Sequence, residues 1–195
     1  LGQQDMVSEL KNYLSGQPQY RGKGEPYLGL VHRLDQPVEG VLVFAKEKKS
    51  AAVLTKQLSA GTLNKQYYAV LCGYPDASEG ELVDYLRKEG SVAVAVTGRE
   101  KNFPDAKIAK LHYSILVKIN QPMPLALADV CIETGRFHQI RVQFSSRGLP
   151  LLGDIRYGSK ADCSTALWSY HMAFTHPVTG RTVDVTCPPP ESLSL

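Results

Sequence analysis

Residues 125–146 read LALADVCIETGRFHQIRVQFSS, and a change of period inside this stretch decides the class of fold. From Leu125 to Glu133 the apolar residues alternate, so that Ala126, Ala128, Val130 and Ile132 share one face. That is the pattern of a strand with one side turned to a core. Thr134-Gly135 interrupts it. From Arg136 to Ser146 the spacing predicts a helix, with Phe137, Ile140 and Phe144 on its inner side and Gly148 to Pro150 ending it.

Working outward, Leu111 to Ile119 predicts a second strand, and Tyr67 to Cys72, stopped by Gly73, a third. Leu28 to Val31 and Val41 to Ala45 predict two short strands, and Tyr170 to Phe174 and Thr182 to Thr186 a final pair. Between the two short strands, the polar segment His32-Arg33-Leu34-Asp35-Gln36-Pro37 predicts a turn or loop. Asp5 to Leu14 predicts a helix ended near Gly16. Lys46 to Ser59 predicts another, with Ala52, Leu54 and Leu58 available for its inner face and Gly61 as its stop. The polar region from Tyr74 to Asp105, with one β-like run at Val92 to Val96, reads as hairpins or as an excursion over the surface. Strands outnumber helices without strict βαβ alternation. The expectation is an α+β fold in which helices flank a mixed, mostly antiparallel sheet, within one domain spanning residues 1–195.

The 195 residues are 43% hydrophobic and 21% charged, as in an ordinary globular protein. No apolar run is long enough to span a bilayer, and no signal-peptide pattern opens the chain. The first residue is Leu, which leads us to expect that the true beginning is missing. A net charge of +3 is compatible with a polyanionic partner without demanding one. Cys72, Cys131, Cys163 and Cys187 are scattered, with no CxxC pair and no His at metal-ligand spacing. Reduced core thiols in a cytosolic-type compartment are expected, rather than a disulfide framework or a zinc site.

Arg141 falls on the apolar face of the helix, between Ile140 and Phe144. A guanidinium among apolar neighbours is expensive unless an anion meets it. Either it reaches solvent or pairs with a structural carboxylate, or it holds a catalytic carboxylate ionised. Asp35 is the obvious partner, although an aspartate in a loop more commonly makes local backbone hydrogen bonds. Tyr67 and Tyr68 are adjacent in a strand, so only one can enter a given pocket. Packing explains such a pair; a pocket tyrosine could instead stack on a nucleobase and offer its hydroxyl in proton transfer. Gly153-Asp154-Ile155-Arg156-Tyr157-Gly158 reads as a structural loop, and His171 and His176 as structural histidines.

Four blocks, in order, resemble the RluA-type family of RNA pseudouridine synthases. They are Val31-His32-Arg33-Leu34-Asp35 with Gly40, Lys65-Gln66-Tyr67-Tyr68-Ala69 with Gly73, Thr134-Gly135-Arg136-Phe137-His138-Gln139-Ile140-Arg141-Val142, and the Gly153 to Gly158 loop. Phe174-Thr175-His176-Pro177 is a weaker fifth. The resemblance implies that a uridine in RNA has its glycosidic bond broken, its uracil rotated and the base rejoined through carbon, with no metal or organic cofactor. It implies Asp35 as the catalytic aspartate and Tyr67 as the tyrosine that packs on the base and is implicated in proton removal from the sugar. Arg141 becomes the basic partner of the aspartate, and Arg33 the arginine that displaces the target base. The same blocks bring His32, Arg136, His138 and Gln139 to the substrate.

The chain departs from the family in having Val38-Glu39 before Gly40, where many members have Thr-Ser. A second carboxylate turned into the site would disfavour the ionised form of its neighbour, so Glu39 is expected to point to solvent. The family's opening strand with a Lys-Pro element is not seen, nor is an S4-type RNA-binding domain. The partner implied is ribosomal or transfer RNA, in the cytoplasm or in an organelle of a eukaryote, acted on by a monomer. The rival expectation is a catalytically inactive RNA-binding assembly factor of the same fold.

Overall fold

The computed structural model describes residues 5–96 and 104–190. The end of the Tyr74 to Asp105 region, residues 97–103, lies outside the described residues. The chain divides into two compact units. The described parts of Leu1–Leu34, Leu42–Leu63 and Phe174–Val183 make one; those of Asp35–Val41, Asn64–Ala173 and Asp184–Leu195 make the larger.

The smaller unit opens with α1 (Met6–Ser15), whose first turn is capped by the Asp5 carboxylate accepting the Ser8 N–H at 2.9 Å. It ends at Gly16, as the spacing predicts. The two short strands are shorter than expected: β1 (Gly29–Leu30) pairs antiparallel with β3 (Phe44–Ala45). Helix α2 (Lys48–Ser59) buries Leu54 and half-buries Ala51 and Leu58, while Ala52 is exposed. The expected face was one residue out, because neighbours on a helix lie three or four apart and Ala52 is only two from Leu54. The Gln57 side-chain amide exchanges two hydrogen bonds of 2.8 Å with the backbone of Thr175, tying α2 to the Phe174–Val183 stretch.

The larger unit is built on an eight-stranded sheet in the order β10-β9-β4-β8-β7-β5-β6, with β2 (Glu39–Gly40) laid parallel against β9 (Leu167–Thr175). Strand β4 is Asn64–Cys72, β5 Glu79–Glu89, β6 Val92–Val96, β7 Lys107–Ile119, β8 Leu125–Ile132 and β10 Thr182–Thr186. The remaining ladders among β4 to β9 are antiparallel. The α+β expectation with a mostly antiparallel sheet therefore holds. Ala126, Ala128, Val130 and Ile132 are all buried, as their alternation requires. The region after Tyr74 supplies the hairpin β5–β6, paired into the sheet through β7 and burying Leu82, Leu86, Ala93 and Val96.

Helix α3 (Gln139–Ser145) starts three residues later than its spacing predicts. His138 precedes it with φ +52°, a left-handed conformation that cannot propagate a helix. The Gln139 side chain sets this entry: its oxygen accepts from Thr134 Oγ1 at 2.8 Å and from the Arg136 N–H at 3.0 Å, and its nitrogen donates to the Lys110 carbonyl at 2.9 Å. Once started, α3 is buried from Gln139 through Phe144. Val142 packs with Leu86, Ala93 and Ala109. The small residues on the sheet leave room for a helix that carries polar side chains inward. The thiols were expected in the core, but Cys163 is exposed and Cys72, Cys131 and Cys187 are only partly buried.

Candidate active site

Asp35 is placed by the short chain segment that follows it. Its carbonyl accepts the Val38 N–H at 2.8 Å, closing a turn through Gln36 and Pro37. Glu39 and Gly40 then run beside Trp168 and Ser169, and the Val41 N–H donates to the Ser169 carbonyl at 2.8 Å. Gly40 has φ +122°, and a Cβ there would sit 2.1 Å from the Ser169 carbonyl oxygen. Only glycine permits both the dihedral and this approach. Val38 is buried and anchors the turn.

Arg141 points from the buried helix toward two carboxylates. Its Nε and Nη2 donate to Asp154 Oδ2 and Oδ1 at 2.6 and 2.7 Å, a bidentate pair with Arg141 only 3% and Asp154 1% exposed. Its Nη1 donates to Asp35 Oδ2 at 3.5 Å. Burial pulls the Arg141 pKa down, but the hydrogen bonds and charge of Asp154, together with the charge of Asp35, outweigh it and leave the guanidinium more firmly protonated than usual. The Tyr157 ring covers the guanidinium, 4.9 Å from its carbon. One possibility left open for Arg141 is met, since it pairs with a structural carboxylate, Asp154, and its remaining nitrogen also faces Asp35.

The loop read as structural carries that carboxylate. Gly153, at φ +75°, brings the backbone so close to Ser164 that a Cβ would lie 2.2 Å from its carbonyl oxygen. The Asp154 carbonyl accepts from the N–H groups of Tyr157 and Ser159, both at 3.0 Å. The Tyr157 hydroxyl accepts from the Ala93 N–H at 2.7 Å and meets His138 Nδ1 at 2.8 Å. With its own proton given to Nδ1, a neutral His138 carries its hydrogen on Nε2, which lies 3.8 Å from Asp35 Oδ2. Burial depresses the His138 pKa; Asp35 opposes this and Arg141 reinforces it.

Tyr67 is 6% exposed and pairs in register with Ser169, the residue that Gly40 abuts. Burial pushes its pKa up to about 12; a hydrogen bond with Ser169 opposes the rise and the charge of Asp35 adds to it. Tyr67 is therefore a neutral phenol near Asp35. Tyr68, on the other face, stacks on Tyr170 with ring centroids 3.9 Å apart, so the two tyrosines part as strand geometry requires.

Asp35, Tyr67, Arg141 and His138 are thus brought together in the larger unit. Gln139 is wholly engaged in shaping the loop. Arg136 is half-buried, its Nε donating to the Ile108 carbonyl at 2.8 Å. In the smaller unit, Arg33 is exposed and His32 is buried, its Nε2 accepting the Val43 N–H at 3.4 Å. Glu39 is exposed. Sequence reasoning missed Asp154, Tyr157 and Ser169. A buried Arg has five N–H donors in a fork, more than one distant loop aspartate satisfies, and that excess was the available signal for a second carboxylate. Sequence spacing also could not show that ligand atoms of three exposed residues, Glu81 on β5, His112 on β7 and Glu133 just past the end of β8, lie within 4.8 Å of one another. His112 Nε2 meets Glu133 Oε1 there at 2.6 Å, an ordinary surface pair.

The family model described as RNA pseudouridylate synthase matches residues 4–146. An uncharacterized RNA pseudouridine synthase of Mycobacterium bovis is 33% identical over 176 residues, covering 85% of this chain and 54% of that protein. Ribosomal large subunit pseudouridine synthase D of Zymomonas mobilis is 32% identical over 181 residues, covering 86% and 54%. The chain spans about half the length of these curated relatives. The solved structure of human RNA pseudouridylate synthase domain containing 4 shares the fold, with a TM-score of 0.79 over 96% of this chain and 80% of that one, at 21% identity. The chain belongs to the RNA pseudouridylate synthase family.

Proposed function

We propose that this chain is the catalytic part of an enzyme that isomerises a uridine in structured RNA to pseudouridine, with Asp35 as its catalytic aspartate. The observation that carries this reading is that a guanidinium locked by Asp154 faces Asp35, on a site whose buried Tyr67 phenol feels the Asp35 charge. In the reaction the N1–C1′ bond breaks, the uracil turns, C5 bonds to C1′, and the hydrogen on C5 leaves as a proton while N1 takes one up, so that any proton taken from the sugar must also be returned. No electron acceptor is needed. The Asp35 carboxylate attacks C1′ or stabilises the charge growing there. Arg141 offers it a fixed opposite charge, and His138 Nε2 faces the same oxygen, Oδ2, from 3.8 Å. Tyr67 packs on the base. Because it is a neutral phenol, its hydroxyl takes a sugar proton only while passing its own onward.

Exposed Arg33 is suited to entering the RNA in place of the flipped base. The named relative from Z. mobilis favours ribosomal RNA over transfer RNA as the substrate. On this proposal the enzyme works as a monomer in the cytoplasm or an organelle.

Release of tritium from 5-tritiated uridine in RNA tests the proposal directly. Wild-type protein should release it, and Asp35→Asn should release none while still binding RNA. Wild-type protein that binds RNA and releases no label would overturn the enzyme reading in favour of an inactive RNA-binding factor.

A further inference from the structure

Lys65, near the start of β4, has no place in the chemistry above. It is 5% exposed and shares the buried face of the strand with Tyr67. Of the described buried residues with a formal charge, Arg141 and Asp154 satisfy each other, whereas Lys65 has no hydrogen bond or ion pair. Burial alone lowers its pKa, to about 8, and no neighbouring charge acts on it. Its pairing partner in β9 is Met172, which is fully buried and apolar. Glu133, in the loop after β8 and two residues before Gly135, is paired with His112.

The amine does not end in the core. A Cβ on Gly135 would lie 3.3 Å from Lys65 Nζ, and Gly135 is exposed. The stem is therefore buried and the head emerges against a bare stretch of backbone between Thr134 and Arg136. An ammonium partly stripped of water and without a counter-ion is still costly. Here the ammonium stands against the exposed backbone of Gly135, three residues before His138, so an anion can be supplied from outside.

We propose that Lys65 is a phosphate-binding residue, whose ammonium receives a phosphodiester of the RNA laid over Gly135 next to the target nucleotide. The inference rests on RNA being the substrate. The absent side chain at Gly135 gives the phosphate oxygens access to the amine, and the arriving phosphate supplies the missing opposite charge. Binding then takes up a proton wherever Lys65 is partly neutral in the free protein.

The test uses the Asp35→Asn protein, which holds RNA without turnover, and a labelled hairpin RNA with uridines in its loop. Dissociation constants are measured against salt and pH with Lys65 intact, with Lys65→Met, with Lys65→Arg and with Gly135→Val. Lys65→Met should weaken binding and lower the slope of log affinity against log salt by about 0.7–1, the signature of one lost phosphate contact. Gly135→Val, which keeps the charge but blocks the approach, should weaken binding likewise. Affinity of the parent should fall between about pH 7 and pH 10 as free Lys65 loses its proton, while Lys65→Arg stays flat across that range. Equal salt slopes for the parent and Lys65→Met would overturn the proposal while leaving the RNA reading intact. A parent that binds no hairpin RNA would overturn the RNA reading, and the proposal with it.

Discussion

Arg141 grips Asp154 with two nitrogens at 2.6 and 2.7 Å, and it is the third, at 3.5 Å, that faces Asp35. Asp154 is thus the residue that fixes the direction of the guanidinium, and Asp35 receives a charge already held in place. Such preorganisation spares the reacting groups from reorganising as charge develops.

Removing the holder should therefore cost both stability and rate. Asp154→Ala leaves a buried guanidinium without its main partner and should destabilise the protein by about 3–5 kcal/mol in chemical denaturation. Asp154→Asn keeps the volume but releases the fork. It should lower kcat by roughly tenfold or more while RNA affinity changes little, the pattern of a lost transition-state interaction. Unchanged kcat in a folded Asp154→Asn protein would refute the positioning role.

Gly40→Ala should be far worse than its size suggests. The new methyl would meet the Ser169 carbonyl oxygen at 2.1 Å, so β2 must leave β9 and carry the Asp35 turn with it. A loss of more than about 2 kcal/mol and of nearly all activity is expected. Gly22→Ala is the control: φ is +73° but nothing lies within 4 Å, so only about 1 kcal/mol for the left-handed backbone should be lost.

Glu39→Gln should leave the pH–rate profile where it is. Glu39 is exposed in a strand whose next residue, Gly40, is the one pressed against Ser169. A clear displacement of either limb of the profile would show that the carboxylate reaches the site after all.

Lys65→Met should stabilise the protein at neutral pH. The folded pKa of Lys65, about 8, lies below its ordinary 10.5, so between these values the unfolded chain binds more protons than the folded one. Stability then rises with pH across that window, and the burden of the buried charge is greatest below it. The variant should gain about 2–4 kcal/mol near pH 7 and lose that advantage above about pH 10, as read from urea midpoints. A gain independent of pH would assign the effect to packing instead.

The strand–turn–helix stretch from Leu125 was legible because alternation and helical spacing are local properties, and the burial of Ala126, Ala128, Val130 and Ile132 follows from them. The start of α3 was not legible. Its delay depends on Gln139 reaching back to Lys110, 29 residues away, and on a left-handed His138. The inner face of α2 was misjudged at Ala52 although spacing alone would have corrected it, since Ala51, Leu54 and Leu58 are the residues three and four apart. The β5–β6 hairpin was one of the two readings of its region, and the surface excursion stayed open beside it because only one face of each strand is buried.

For the site, residue identity and order were enough to single out Asp35, Tyr67 and Arg141 and to ask what anion an inward-facing arginine required. The answer was tertiary. Asp154 lies 13 residues beyond Arg141 in a glycine-bounded loop, and Asp35 lies 106 residues before it. No periodicity links them, because the pairing is made where a buried helix, a loop and a two-residue parallel strand meet. By itself the sequence determined that a charged residue would be carried into the core on α3. The folded chain decided which carboxylate would neutralise it and which would be left at 3.5 Å and partly open to solvent. Burial can be read from a local pattern, but the partner of a buried charge depends on distances that only the closed structure sets.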